Sequence, residues 1–360
     1  MKKMNYKLIR MAALLAAGAV LFACSKKNLE MIEEVPEVVE EVPEFVYSVS
    51  VNATKGDGVE TRALTLDGSV LNAKWLTTES VAVKRGSAWV TGALAPQSEG
   101  ANAVLKGSLT VTESPIVAGD ELFLQFPKSG DPSYSGQKGT IADISANFDY
   151  ATATVNVASV NDVTGILTTD PANFVNQQAI VEFVLTNRTT SAALDVETLT
   201  ITAGGNDVTV TPDAATNDLY VALPGFAGGA FTLEATIGSN EFYYTNASFP
   251  YTIANSSFYQ LPVKLRPVAI NVSNPAGLTT TMANKNHLAG NTITYSIDSM
   301  AASPVVTATT VDDWITINAT NATTVTYEVA QNKTKSNRTG HITLSYSGAS
   351  NVVITVEQPS

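Results

Sequence analysis

Hydrophobicity with a period of two, broken by clusters of glycine, proline and asparagine, recurs from residue 45 to the end of the chain. Phe45, Tyr47, Val49 and Val51 alternate with Val46, Ser48, Ser50 and Asn52, so an extended backbone gathers one apolar row on one face. Short runs of this kind satisfy their backbone groups and bury their apolar rows together only by pairing into sheets that pack face to face. The first run closes at Lys55-Gly56-Asp57-Gly58, a turn signal, and the chain resumes as Glu60-Thr61-Arg62-Ala63-Leu64. Further strands are predicted over 80–85, 88–91, 103–109, 121–126 and 151–158. Residues 139–150 lack alternation and are expected to hold a short helical turn.

A second β segment is predicted to begin near Asn161, with strands over 178–185, 195–203, 207–211, 219–223, 230–237, 241–246 and 258–265. Gly204-Gly205-Asn206 and Gly238-Ser239-Asn240 mark its hairpins. Arg266-Pro267 reads as a boundary, because proline removes a ladder donor and restricts the residue before it. In the last segment Val325, Tyr327 and Val329 share a face, as do Ile342, Leu344 and Tyr346, and Val352, Ile354 and Val356. The fold class expected is all-β, as three sandwiches over residues 45–160, 161–266 and 267–360.

The N-terminus gives an address. Lys2, Lys3, Lys7 and Arg10 precede an apolar run, Met11–Phe22, too short for a helix across the ~30 Å hydrocarbon core of a bilayer, so it reads as a secretory signal that is removed. Leu21, Ala23 and Cys24 form a lipobox: an apolar residue, a small residue before the cut, and the thiol that carries the lipid. Cys24 is the one cysteine of the chain. Residues 25–44 are an acidic tether in which Glu33-Glu34-Val35-Pro36-Glu37 recurs as Glu40-Glu41-Val42-Pro43-Glu44. Loss of the four basic signal residues takes the formal charge from −12 to −16. Such a surface repels nucleic acid and anionic headgroups, so the lipid must hold the protein at the membrane; the location expected is the outer membrane, at the cell surface.

No constellation for catalysis or metal binding stands out. His287 and His341 have no further candidate ligands at metal spacing. Ser135 and Lys138 match Ser-x-x-Lys but sit in a Gly/Ser/Pro-rich stretch without partner motifs. Asp312 and Asp313 would face opposite ways in an extended chain. Tyr327, Tyr346 and Trp314 could stack sugars, yet alternation puts Tyr327 and Tyr346 on the apolar faces and Trp314 starts a strand after a turn, so core packing is expected. Neither an enzyme nor a cofactor is expected.

Two resemblances add to this. Glu60-Thr61-Arg62-Ala63, Trp75 followed by Glu79-Ser80-Val81-Ala82-Val83, Leu124-Gln125-Phe126-Pro127, Gly139-Thr140-Ile141-Ala142-Asp143, Asp149-Tyr150-Ala151-Thr152-Ala153 and Gln178-Ala179-Ile180-Val181 occur in an order that resembles the fimbrillin family, the lipoprotein-precursor pilins of Bacteroidetes. The resemblance implies two transthyretin-like β-sandwich domains. It also implies cleavage after an arginine, here between Arg62 and Ala63, which frees the first strand (Phe45, Tyr47, Val49, Val51) and leaves a groove for a neighbour's strand. Asp312-Asp313-Trp314-Ile315, Asn332, Ser336-Asn337-Arg338-Thr339-Gly340 and Ile354-Thr355-Val356-Glu357-Gln358 resemble the BACON module, which implies an immunoglobulin-like β-sandwich that binds glycan or mucin or acts as a spacer. A stalk pilin donates its last strand, whereas this C-terminus is expected to close its own domain.

The expectation is therefore a lipid-anchored accessory or tip adhesin of fimbriae, with other pilin subunits as partners. The alternative is a monomeric lipoprotein that captures host or dietary glycan. Cys24→Ala is expected to shift the protein from the membrane to the soluble fraction; unchanged membrane partition contradicts the lipid anchor.

Overall fold

A computed structural model describes residues 43–55, 65–67, 70–72, 74–112, 114–127 and 129–360. Cys24, the tether up to residue 42, Arg62 and Ala63 lie outside the described residues. The all-β expectation holds: strands account for the three packed cores, and the one α-helix among the described residues, α1 (Ile141–Asp143), is a single short turn.

The first domain holds β1 (Glu44–Lys55), β2 (Thr65–Asp67), β3 (Val70–Asn72), β4 (Ala82–Arg85), β5 (Ala88–Trp89), β6 (Thr91–Pro96), β7 (Asn102–Thr112), β8 (Glu121–Phe126), β9 (Ala151–Asn161), β10 (Ile166–Thr169) and β11 (Ala172–Asn176). Strands β2 and β3 form a separate hairpin. The others are hydrogen-bonded in the order β5-β4-β8-β9-β10-β1-β7-β6, with β11 joined to both β1 and β9. A bridge between Val81 and Leu94 brings the two ends of that path together, so the sheet curls around one core. The sequence expectation closed this domain at residue 160. Leu167, Ala172 and Phe174 lie in its core instead, because β10 and β11 pair with β1 and β9 and complete the curl.

The stretch between β8 and β9 leaves the first domain and straps the second. Gln137 donates from Nε2 to the carbonyls of Tyr134 (2.6 Å) and Ala222 (2.7 Å), and its Oε1 accepts from the Ala222 N–H (2.8 Å). Backbone bonds from Gly136 to Thr209, from Thr211 to Gln137 and from Tyr220 to Gly139 add the strap to the sheet edge. Gly139 has φ +74°, and a Cβ there would lie 2.4 Å from Leu219 Cδ2, so glycine is required twice over. The helical turn expected over 139–150 is present as α1 and a π-helical turn, Ile144–Phe148. Ile144 packs there with Ile180 and Ala222 of the second domain.

The second domain contains β12 (Ala179–Asn187), β13 (Thr198–Ala203), β14 (Asn206–Val210), β15 (Asp218–Leu223), β16 (Gly229–Ile237), β17 (Asn240–Phe249) and β18 (Phe258–Pro267), in the order β14-β13-β16-β17-β18-β12-β15. Phe183, Leu199, Ile201, Val221, Phe231, Leu233 and Leu265 fill its core.

The third domain packs two four-stranded sheets. One is β19 (Ala269–Asn274), β21 (Leu288–Asp298), β24 (Thr324–Val329) and β23 (Ile315–Thr320). The other is β20 (Thr279–Thr281), β26 (Val352–Gln358), β25 (Arg338–Ser345) and β22 (Thr307–Thr309). The last strand, β26, lies between β20 and β25, with Ile354 and Val356 fully buried. The third domain meets the second where the Glu241 N–H donates to the Gly348 carbonyl (2.7 Å) and the Tyr243 hydroxyl donates to Asp298.

Gln137→Ala strips buried Ala222 of partners for its N–H and carbonyl. A loss of about 2–4 kcal/mol in chemical denaturation is expected, with Tyr134 and the strap exchanging amide protons first.

Candidate functional site

The strand singled out by the sequence is interior to its sheet. β1 pairs antiparallel with β7 from Glu44↔Thr112 to Thr54↔Asn102. Its other edge pairs parallel with β10 (Ser48↔Ile166 to Ser50↔Thr168) and with β11 (Ala53↔Ala172 to Lys55↔Phe174). Gly165 lets the β9–β10 turn come close: its carbonyl accepts from the Ser48 N–H at 2.8 Å, and a Cβ on it would lie 2.8 Å from the Val46 carbonyl oxygen. Tyr47, Val49, Val51 and Ala53 point inward and are buried, Phe45 is half-buried at the start of the row, and Val46, Ser48, Ser50 and Asn52 are exposed. Burying a side chain of this kind contributes about 1.5–3 kcal/mol. Without β1 the facing edges of β7, β10 and β11 have no strand partner and the apolar surface under the row is uncovered.

Two polar anchors hold the ends of the inward row. The Tyr47 hydroxyl accepts from the Ile116 N–H at 2.8 Å. At the other end Lys55, which reads from sequence as a turn residue, is fully buried. Its Nζ lies 3.0 Å from Glu79 Oε1 and 3.1 Å from Asp149 Oδ2, and donates to the Lys74 carbonyl at 3.4 Å. The Phe126 ring centroid is 3.7 Å from Nζ and that of Trp75 is 5.1 Å away, a cation–π box. Glu79 Oε2 accepts from the Leu76 N–H (3.0 Å), and Asp149 Oδ1 accepts from Gln178 Nε2 (3.1 Å). Asp149 Oδ2 makes no hydrogen bond among the described residues, so the ammonium is what offsets its charge. Burial raises the Glu79 carboxyl above its ordinary value of 4.5, outweighing the lowering by Lys55. The signal for Lys55 was in the sequence: it has the parity of Tyr47, Val49, Val51 and Ala53, so the inward row runs one residue past the apolar ones.

The residues considered for catalysis serve local structure. Ser135 Oγ donates to the Asp207 carbonyl and Lys138 Nζ lies 2.8 Å from Asp213 Oδ1, both holding the strap. His287 Nε2 is 3.5 Å from Glu328 Oε2, on the surface. Among the described residues no three His, Cys, Asp or Glu side chains cluster so as to hold a metal ion, and no helix is long and apolar enough to cross a membrane.

In the third domain, Asp312 Oδ2 accepts from the His341 N–H (2.7 Å), the Arg338 guanidinium stacks 4.2 Å from the Trp314 ring centroid, and Arg338 Nε donates to Gln358 Oε1 (2.8 Å). Residues 303–359 match the BACON family. That family is described as "Putative binding domain, N-terminal". Within the BACON segment Asn332 Nδ2 donates to the carbonyls of Ser336 (3.0 Å) and Pro359 (2.8 Å), and Gln358 Nε2 reaches the Asn286 carbonyl (3.1 Å). The residues that carry the resemblance thus clip the C-terminus in place. Trp314 and Tyr327 are buried in the BACON core and Tyr346 is half-buried against it. No curated protein matches the chain. Solved structures similar to it include a "putative cell adhesion protein" from Bacteroides uniformis, with 10% identity over 60% of this chain and 93% of that one and a TM-score of 0.32. A fimbrial assembly protein from Parabacteroides distasonis has 11% identity over 61% and 92%, with a TM-score of 0.29. A second "putative cell adhesion protein", from Bacteroides ovatus, has 13% identity over 70% and 95%, with a TM-score of 0.30.

Lys55→Met leaves two buried carboxylates facing each other and is expected to cost about 3–5 kcal/mol, most of it recovered when Glu79→Gln and Asp149→Asn are added. Because the Glu79 pKa is raised on folding, its contribution is fully present below 4.5 and is lost as the pH rises through the folded value. Denaturation of the wild type should therefore gain on Glu79→Gln as the pH falls from neutral; a difference that does not vary with pH contradicts this.

Proposed function

We propose that the chain is a lipid-anchored, cell-surface fimbrillin-like subunit that receives a neighbour's strand in place of β1 and serves as an accessory or tip adhesin. One observation carries the reading: the strand directly before Arg62 is an interior strand of its sheet, with both edges paired and a full apolar row inward. An interior strand that can be cut free creates a site that an incoming strand fills with backbone hydrogen bonds and side chains together. The pairing of β26 supports a subunit that accepts a strand without donating this one. β26 is interior to the BACON domain and clipped by Asn332 and Arg338, so it is committed to its own core. Anchoring falls to Cys24, and the acidic surface disfavours nucleic acid as a partner. Binding rather than catalysis is the role proposed.

Glycan capture by a monomer is the second reading, favoured by one feature outside the BACON core. Trp89, partly exposed, lines an open depression of the first domain with Arg85, Asp120 and Glu121. An indole flanked by charged hydrogen-bonding groups can stack a sugar ring.

Mass spectrometry of surface-sheared and membrane fractions tests the first reading. Sheared, high-molecular-weight material should start at Ala63; protein that starts everywhere at acylated Cys24 contradicts it. On a panel of mucin and plant glycans, binding lost in Trp89→Ala would support the second reading, and binding unchanged by that substitution would remove it.

A further inference from the structure

The groove that β1 occupies has a chemically distinct end, and what β1 puts there goes with it. Lys55 is the last residue of β1, whereas Glu79, Asp149, Trp75 and Phe126 belong to segments on the far side of Arg62. Departure of β1 takes away the ammonium and leaves both carboxylates. With β1 seated the side chain of Glu79 is 10% exposed and that of Asp149 is 1% exposed, so a strand that refills the groove returns both carboxylates to a dry site. Two carboxylates at such a site disfavour each other's ionised form and await a cation. The aromatic pair that boxes Lys55 Nζ stays behind as well.

We propose that the strand seated in this groove after β1 leaves must bring a lysine to Glu79 and Asp149, at the end of an inward row of alternating apolar residues. The inference rests on the strand-exchange reading above and adds to it the chemistry of the partner. Apolar alternation alone is common to nearly every β-strand and would select poorly among donors. A lysine at one fixed register position selects a partner and also fixes how far the strand slides, because a shift by one residue turns the row outward and a shift by two draws the ammonium out of the box.

The same requirement excludes this chain's own C-terminus as the donor. Residues 352–360 contain no lysine or arginine, and Gln358 is engaged with Arg338 and the Asn286 carbonyl. β26 is therefore not the strand that this groove selects.

The test uses the full chain carrying an inserted site for a specific protease between Arg62 and Ala63, cut and then offered labelled peptides in excess. One peptide has the sequence of residues 44–55 and the other differs from it by Lys55→Met. The expected result is exchange of the first peptide into the cut chain, with the second roughly 100-fold weaker or worse, and loss of that preference when the chain carries Glu79→Gln and Asp149→Asn. Equal entry of the two peptides overturns the lysine requirement and leaves strand exchange standing. If neither peptide enters and residues 44–55 stay bound to the cut chain, the strand-exchange reading fails, and the donor requirement fails with it.

Discussion

The first domain closes its curled sheet through one strand that is held from both sides. β1 supplies hydrogen-bonding partners to β7 on one edge and to β10 and β11 on the other, and its inward row reaches the core that contains Trp75, Leu105 and Phe174. The ends of the row are pinned by polar groups, the Tyr47 hydroxyl on Ile116 and the Lys55 ammonium between Glu79 and Asp149. A buried ion cluster adds little net stability compared with an apolar replacement, but breaking it leaves unpaired charge in a dry site. Lys55 thus specifies where β1 sits more than it strengthens the domain.

The cluster also reaches beyond the first domain. Asp149 is hydrogen-bonded to Gln178, whose side-chain Oε1 accepts from the Tyr150 N–H, and Gln178 directly precedes the first strand of the second domain. A few residues earlier the Gln137 strap is bonded into the edge formed by β14 and β15. The region around β1's buried end is therefore fixed from outside the first sandwich as well as from within. A vacated groove would keep its carboxylates where Lys55 left them.

Much of the fold was legible because period-two hydrophobicity is a direct consequence of strand geometry. The strand predicted at 121–126 matches β8 residue for residue, and the run 219–223 lies inside β15. The misreadings share a cause. β10 and β11 are four and five residues long, too short to display a period, and their place in the first domain is set by pairing with β1, more than a hundred residues earlier. Lys55 was hidden by its residue type: a charged residue beside glycines reads as a turn unless parity is followed to the end of the row. Its partners Glu79 and Asp149 come from distant segments, and no local spacing could have joined them. In the BACON segment the motif residues were visible, while their role as clips on the C-terminus emerged only from the paired geometry of Arg338, Trp314 and Gln358.

β1 is an interior strand, and its removal is expected to open one defined groove and leave the rest of the domain folded. Hydrogen exchange compared between the intact chain and the chain cut after Arg62 and freed of residues 44–55 addresses it most directly. The expected result is new exposure of amides along β7, β10 and β11, with β8 and the second and third domains protected as before. Exposure spread through the whole first domain, or none along β7, would contradict it.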